Sequence, residues 1–371
     1  MSDDARLHII PLGGLGEIGK NMMAIRYQDT IVVIDAGLMF PEEELLGIDI
    51  VIPDITYLVE NGDKVKAILL THSHEDHVGA LPYVLKEINP PIYGSKLTLG
   101  IVEGKLKEHN LDNVKMNIMR PRDSITIGPL VVEFFRVSHS VPDAMGIVIH
   151  TPLGVIFHTG DFKIDQTPVD GQVIDFRKMA EMGEKGVLLM LSDSTNADRT
   201  GFTMSEKVVG NTFHEIFGNC AGRIIVTTFA SNVHRIQQVI DTAVYYDRKV
   251  AVVGRSMVNN VNISTQLGYI DIPENTLIEM EEINKYPPEK VVIATTGSQG
   301  EPMSALTRMA TADHRWVGIS PGDTVIISAT PIPGNEKLVS KTIDLLFKQG
   351  AEVIYEKERG VHVSGHASQE E

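Results

Sequence analysis

The sequence predicts a mixed α/β protein in two parts: a β-rich first part, and a following α/β unit whose sheet is mainly parallel. Three observations carry this. The 371 residues, 43% of them hydrophobic, are enough for a large core and more than one typical domain needs. Short apolar runs separated by turn residues dominate the opening. After about residue 205 strands and helices alternate, as in a parallel sheet covered on both faces.

In chain order, Leu7 to Pro11, Met22 to Tyr27 and Ile31 to Asp35 read as strands, with Gln28-Asp29 a turn between the last two. Ala67 to Leu70 is a buried strand. Leu81, Val84, Leu85 and Ile88 have helical spacing, with Pro82 tolerated in a first turn. Leu130 to Val137, Gly146 to His150 and Val155 to His158 are further strands. In the second part Arg223 to Phe229, Val250 to Val253, Val291 to Ala294 and Thr324 to Ser328 are strands. Ile236, Val239, Ile240, Ala243 and Val244 mark one helix face, and Leu338, Ile343 and Leu346 a late helix. The expected division is 1–205, 206–355 and a return of the chain to the first domain over 356–371.

Composition narrows the function classes. One cysteine, Cys220, rules out a disulfide framework and a cysteine zinc cluster, and fits a reducing, cytoplasmic setting. Met1 to Arg6 has neither the basic nor the apolar region of a secretory signal. The longest apolar runs, such as Gly186 to Leu191, are too short to cross a membrane. The net charge of −16 argues against a broadly basic nucleic-acid surface, while leaving room for a local groove to which Arg235, Arg255 and Arg308 could contribute.

The chemistry concentrates in Thr71-His72-Ser73-His74-Glu75-Asp76-His77, between a buried strand and a helix. Imidazole and carboxylate together suit zinc and similar divalent ions. Four potential ligands in six residues crowd one ion but can serve two neighbouring ones. A polar loop rich in histidine by chance would bury these groups at a cost nothing repays. His139, in Val137-Ser138-His139-Ser140, and Asp161, in His158-Thr159-Gly160-Asp161, also follow strands. Alone, each is more often a turn residue; beside the first cluster both become candidate ligands. Gly14-x-Gly16-x-x-Gly19 with Asp35 imitates a dinucleotide fingerprint. Lys20 to Tyr27 lacks a helical stripe, so the glycines read as a turn near the metal centre.

Asp35 in Ile34-Asp35-Ala36-Gly37, the His72 cluster, His139 and Gly160-Asp161 resemble, in that order, the motifs of the metallo-β-lactamase superfamily. Leu191 to Asn196, Phe229-Ala230-Ser231-Asn232, Gly254-Arg255-Ser256-Met257, Thr296 to Pro302, Pro331 to Asn335 and Ser364-Gly365-His366 extend the resemblance to its β-CASP nucleases, and within them to the bacterial ribonuclease J family. The resemblance implies an αββα metallo-β-lactamase sandwich interrupted by an inserted β-CASP domain. It implies that His72, His74 and His139 hold one metal and Asp76 and His77 a second, with Asp161 bridging. Asp35 would orient histidine ligands. Asp193 and His366 would assist proton transfer to the leaving oxygen. Ser231, Asn232, His362, Ser364, Gly365 and His366 would hold a substrate phosphate.

The implied cofactors are two zinc ions, with manganese or magnesium as substitutes. The implied activity is 5′-to-3′ exonuclease and endonuclease hydrolysis of single-stranded RNA, with a 5′-monophosphate end preferred, in rRNA processing and mRNA decay. The implied full-length state is a homodimer or homotetramer working with other RNA-decay proteins. A (thio)ester or lactone hydrolase of the same fold is the alternative, and a catalytically silent RNA-binding protein a third reading. A small ester needs no second domain, and the His72 cluster speaks against silence. The family pattern also continues past residue 371 with a histidine in a Pro-x-His-Gly-Glu-like segment. The resemblance therefore leads to the expectation of a truncated chain with an incomplete second metal site, exposed apolar surface and poor activity.

Overall fold

The computed structural model describes residues 6–41, 45, 47–301, 303–332, 334–355 and 360–371. Pro302 and Pro333 of two quoted motifs, and the first four residues of the expected 356–371 return, lie outside the described residues.

Chain contacts divide the protein into two units, Met1–Ile164 with Gln172–Thr203 and Gly365–Glu371, and Asp165–Gly171 with Met204–Ser364. The first contains two sheets. Strands β1 (Leu7–Gly13), β2 (Met22–Tyr27), β3 (Thr30–Ile34), β4 (Val65–Leu69), β5 (Ile92–Gly94) and β6 (Met116–Ile118) lie side by side in chain order. Pairing is antiparallel from β1 to β3 and parallel from β3 to β6. The second sheet has the order β11-β10-β9-β8-β7, built from β7 (Ser124–Ile127), β8 (Leu130–Arg136), β9 (Met145–Thr151), β10 (Gly154–His158) and β11 (Leu189–Leu191). Only the β10–β11 pairing there is parallel.

Side-chain alternation explains why these sheets stack. Val32 and Ile34 of β3 and Leu69 of β4 join Phe134, Ile147, Ile149 and Ile156 of the second sheet in one cluster between the sheets. Their neighbours Ile31, Val33 and Ile68 face the other way, onto Leu81, Val84 and Leu85 of α3 (Leu81–Glu87) and Leu99, Val102 and Leu106 of α4 (Lys96–Glu108). Phe135, Val148, Val155 and Phe157 turn outward from the second sheet onto Met182 of α5 (Phe176–Lys185). The result is helix, sheet, sheet, helix. The short α1 (Thr56–Glu60) and α2 (Glu75–Val78) belong to the same unit.

The second unit is built on one all-parallel sheet of order β13-β14-β12-β15-β16: β12 (Ile224–Thr227), β13 (Lys249–Val253), β14 (Val291–Thr295), β15 (Thr324–Ile327) and β16 (Glu352–Tyr355). Ile225, Ile293, Val325 and Val353 face α9 (Ala305–Ala310) and α10 (Glu336–Lys348). Val226, Ala294, Ile326 and Ile354 face α6 (Lys207–Asn219) and α7 (Val233–Tyr245). The unit also contains α8 (Arg255–Leu267). It begins close to the expected residue 206 but keeps residues 360–364, because Val361 and Val363 are buried in its core. Among the described residues no helix is long and apolar enough to cross a membrane.

Candidate metal centre

The topology of the first unit brings the polar residues together. β3 and β4 run in parallel, and so do β8, β10 and β11 within their own sheet, so each group ends on one edge. Asp35 follows β3, the His72 loop follows β4, His139 follows β8, Asp161 follows β10 and Asp193 follows β11. A single side of the unit thus collects residues from five strand ends. Ligand sites outside the carboxyl ends of strands arise for this reason. All the predicted metal residues, with Asp193 and His366, belong to this unit.

The backbone closes tightly there. Asn21 N donates to Asp76 O, Ala36 N to His77 O, and Leu38 N to Glu75 O. Gly37 stands where a Cβ would lie 1.6 Å from Asp76 O, so only glycine permits that approach. Gly365 is similarly constrained, since a Cβ would meet His139 Cε1 at 2.8 Å.

Hydrogen bonds decide which nitrogen each imidazole offers. Thr71 Oγ1 donates its one proton to Asp35 Oδ2, at 2.8 Å, so His72 Nδ1 donates to it at 3.0 Å. His77 Nδ1 lies 2.8 Å from Asp35 Oδ2, a carboxylate that can only accept. His139 Nδ1 donates to Gly365 O at 2.8 Å. His74 Nε2 lies 3.3 Å from Ser140 Oγ. The other nitrogens converge: His72 Nε2 and His139 Nε2 are 3.0 and 3.2 Å from His74 Nδ1. Neutral rings do not choose to aim lone pairs at one another. These spacings approach the roughly 3.3 Å edge of a tetrahedron built on zinc–nitrogen bonds of about 2.0–2.1 Å.

Asp161 is the common member. Its Oδ2 is 3.2 Å from His77 Nε2, 3.7 Å from His72 Nε2, 3.8 Å from His139 Nε2 and 3.9 Å from His366 Nδ1. Three donor sets share it: His72, His74 and His139; Asp76 and His77; Asp193 and His366. Within each set the donor atoms lie within 4.8 Å of one another.

Charge follows the same division. Burial holds His72 and His74 well below the ordinary imidazole pKa and His139 down at about 4, so these three rings are neutral and able to ligate. Burial also works against protonating His77, but Asp161, Asp76 and Asp35 outweigh it and hold that ring well above its usual value. Asp161 is held far below the carboxylate range, because the surrounding imidazoles, His77 first, outweigh its burial. Burial raises Asp76. His366, 2.8 Å from Asp193 Oδ2 through Nδ1, is pushed up to about 9 because Asp193 and Asp161 outweigh its burial. Asp193 is correspondingly lowered, with Thr195 N donating to its other oxygen. The donor set, its spacing and its charge are those of a divalent-metal centre.

Some residues of the site carry no signal in sequence. Asn21 Nδ2 lies 3.1 Å from His77 Nε2 and 3.3 Å from Asp76 Oδ2. Thr71 ties Asp35 to His72, and Ser140 meets His74. Each is an ordinary polar residue, marked only by adjacency to a motif. The glycine segment 14–19 is a bend between two antiparallel strands and opens no helix, which excludes the dinucleotide arrangement.

The predicted phosphate residues Ser231, Asn232, His362 and Ser364 belong to the second unit, whereas Gly365 and His366 belong to the first. Asn232 Oδ1 caps α7 by accepting from Arg235 N at 3.0 Å. Arg235, expected to lend charge to a groove, is instead fully buried, paired with Glu206 and donating to Ser328 and to Val361 O. The chain end is also anchored: Thr203 Oγ1 donates to His366 O, and Ile164 N to Glu371.

Comparison with known proteins agrees with the geometry. The family model described as "Metallo-beta-lactamase superfamily" matches residues 15–183, and "Ribonuclease J, beta-CASP domain" matches residues 221–346. The chain is 49% identical over 373 residues to Ribonuclease J of Helicobacter pylori strain J99, spanning all of this chain and 54% of that protein. It is 49% identical to Ribonuclease J of Thermus thermophilus and 48% to Ribonuclease J2 of Bacillus subtilis. Each of these alignments covers 98% of this chain, with 65% and 66% of the relatives. The chain thus spans roughly half to two thirds of these relatives' length. A crystal structure of an Enterococcus faecalis V583 protein of unknown function shares the fold at TM-score 0.72 and 17% identity, over 99% of this chain and 90% of that one. A metallo-β-lactamase sandwich carrying an inserted β-CASP unit, with relatives at this identity along its whole length, places the chain in the ribonuclease J family.

Proposed function

We propose that the chain is the catalytic part of a metal-dependent ribonuclease that hydrolyses RNA phosphodiester bonds. The observation that carries this is Asp161 Oδ2 between four imidazoles, of which His72 and His139 donate through Nδ1 and so leave a lone pair on the converging nitrogen. His72, His74, His139 and Asp161 would hold one ion, and Asp76, His77 and Asp161 a second, with zinc the best match to mixed imidazole and carboxylate ligands and manganese or magnesium as substitutes. Divalent ions bound there supply Lewis-acid polarisation of a phosphoryl oxygen and lower the pKa of water.

The chain's own residues supply the rest. Asp35 and Thr71 fix His72 and His77 in the tautomers that ligation needs. His366 carries its proton because Asp193 holds Nδ1, leaving the Nε2 proton for a leaving oxygen. Ser231, Asn232, His362 and Ser364, all of the second unit, are assigned to a pocket for a terminal 5′-phosphate, which favours a monophosphate end and exonucleolytic as well as internal cleavage. Cytoplasmic RNA processing and decay, in a dimeric or tetrameric assembly with other decay proteins, fits this reading. The second unit weighs against the small-ester alternative.

Incubation of the chain with RNA labelled at a 5′-monophosphate or 5′-triphosphate end, and with a thioester, tests the reading. Metal-dependent RNA cleavage, faster on the monophosphate end, is expected. Thioester hydrolysis without RNA cleavage would overturn it.

A further inference from the structure

The second unit has a cavity of about 440 Å³ whose walls include Arg255, Ser256, Thr296, Ser304, Arg308 and His314. A space of this size falls in the range of small-ligand sites. Among the described residues no carboxylate lines it, in a chain whose net charge is −16. Arg255 has no ion pair among the described residues, so its charge is uncompensated. Arg308 is held at its edge, with Nη2 donating to Asp313 O at 3.1 Å and Asp313 Oδ2 3.9 Å from Nε.

His314 adds a donor of fixed orientation. Its Nδ1 accepts from Trp316 N at 3.4 Å and Val317 N at 3.3 Å, so the ring proton resides on Nε2. Burial, with Arg308 adding to it, keeps this imidazole below its ordinary pKa. The ring is therefore a neutral donor. Two guanidiniums, one imidazole N–H and the hydroxyls of Ser256 and Thr296 line the wall; Ser304 Oγ already donates to Thr307 Oγ1, and the one neighbouring carboxylate, Asp313, stands outside the lining, 3.9 Å from Arg308 Nε. Arginine forks match phosphate oxygens in geometry as well as charge.

We propose that the second unit contains a phosphate-binding pocket of its own, formed by Arg255, Ser256, Arg308 and His314, distinct from the residues assigned above to a 5′-phosphate. The ligand chemistry is a nucleotide phosphate, carried either by an RNA strand or by a free mononucleotide; the RNA source rests on the proposed function.

The test is calorimetric binding to the whole chain in chelator, so that nothing is cleaved, with inorganic phosphate, 5′-AMP and a 5′-hydroxyl oligoribonucleotide as probes. Arg255→Gln removes the uncompensated charge from an exposed position, and Arg308→Gln is a second variant; thermal melts check that both are folded. Affinity for at least one probe should fall roughly tenfold or more in both variants. For the oligoribonucleotide, the slope of log K against log salt should shrink by roughly 0.7 per lost phosphate contact. Weakening confined to the oligoribonucleotide assigns the pocket to the RNA backbone, and weakening of 5′-AMP or phosphate to a free ligand. No binding of any probe by the parent chain, or unchanged affinities in both folded variants, would overturn the proposal. Because no cleavage is read, a chain that fails as a nuclease can still pass this test, and the reverse.

Discussion

At the scale of single residues, the proposed centre separates groups that would hold metal from groups that orient them. His74 or Asp76 replaced by Ala removes a donor, so bound metal and RNA hydrolysis should fall together, the latter by orders of magnitude, with the circular dichroism spectrum kept. Thr71→Val tests the supporting layer. It leaves His72 Nδ1 without its acceptor and Asp35 without its hydroxyl donor, and metal affinity should drop about 10- to 100-fold by titration; unchanged affinity would mean that ring orientation is set elsewhere. Asp193→Asn should slow cleavage and leave metal content alone, because its carboxylate is engaged by His366 at 2.8 Å. Metal loss in that variant would make Asp193 a ligand, as its place beside Asp161 also permits. The His72 loop was legible in sequence because its donors are within six residues. His139 and Asp161 became candidates only beside that loop, and Asp35, Asp193 and His366 acquired their roles through resemblance, since nothing local says that five strand ends share an edge. Asn21, Thr71 and Ser140 were not legible at all as parts of the site, because a generic hydroxyl or amide acquires its role only from neighbours distant in sequence.

At the scale of elements, Arg235 shows how a helix can mislead. Arg235, in the first turn of α7, reads in sequence as a contributor to a local basic groove, yet its guanidinium is buried and joins α7 to Glu206, to Ser328 after β15 and to Val361. Four elements of the second unit therefore depend on one side chain. Arg235→Met should destabilise the second unit by about 3–5 kcal/mol in denaturant titration, because Glu206 is left buried and unpaired. Arg235→Met with Glu206→Leu should recover much of that loss. Equal destabilisation by the single and double variants would show that packing of the arginine stem, and not the pair, is what matters. The same strands that were read from their apolar runs position this network. β5, β6 and β11, three residues each, are too short for periodicity to reveal, and exist because neighbouring strands already offer hydrogen bonds.

At the scale of the whole molecule, the two units should respond differently to metal. Only the first contains the donor sets that share Asp161. Ions at about 100 times their dissociation constant should stabilise it by about 2.7 kcal/mol per independent site. Scanning calorimetry should show one transition rising with added zinc or manganese and falling in chelator, while the transition of the second unit stays in place. A common shift of both would indicate that the units unfold together. The change from short β-rich runs to regularly alternating strands and helices near residue 205 is legible because the first unit has mixed sheets and the second one all-parallel sheet. The return point was not, because Val361 and Val363 are buried in the second unit's core although they follow its last strand.

In the proposed function one carboxylate, Asp161, organises a divalent-metal centre that cleaves RNA. Asp161→Asn keeps the side chain's size and removes its charge. Metal content per chain and cleavage of a 5′-monophosphorylated RNA, measured on the same preparations of parent and variant, decide it. The parent should be metal-replete and cleave in a chelator-sensitive way, and the variant should lose both metal and cleavage. Cleavage that survives chelation, or a variant that cleaves RNA as fast as its parent, would contradict it.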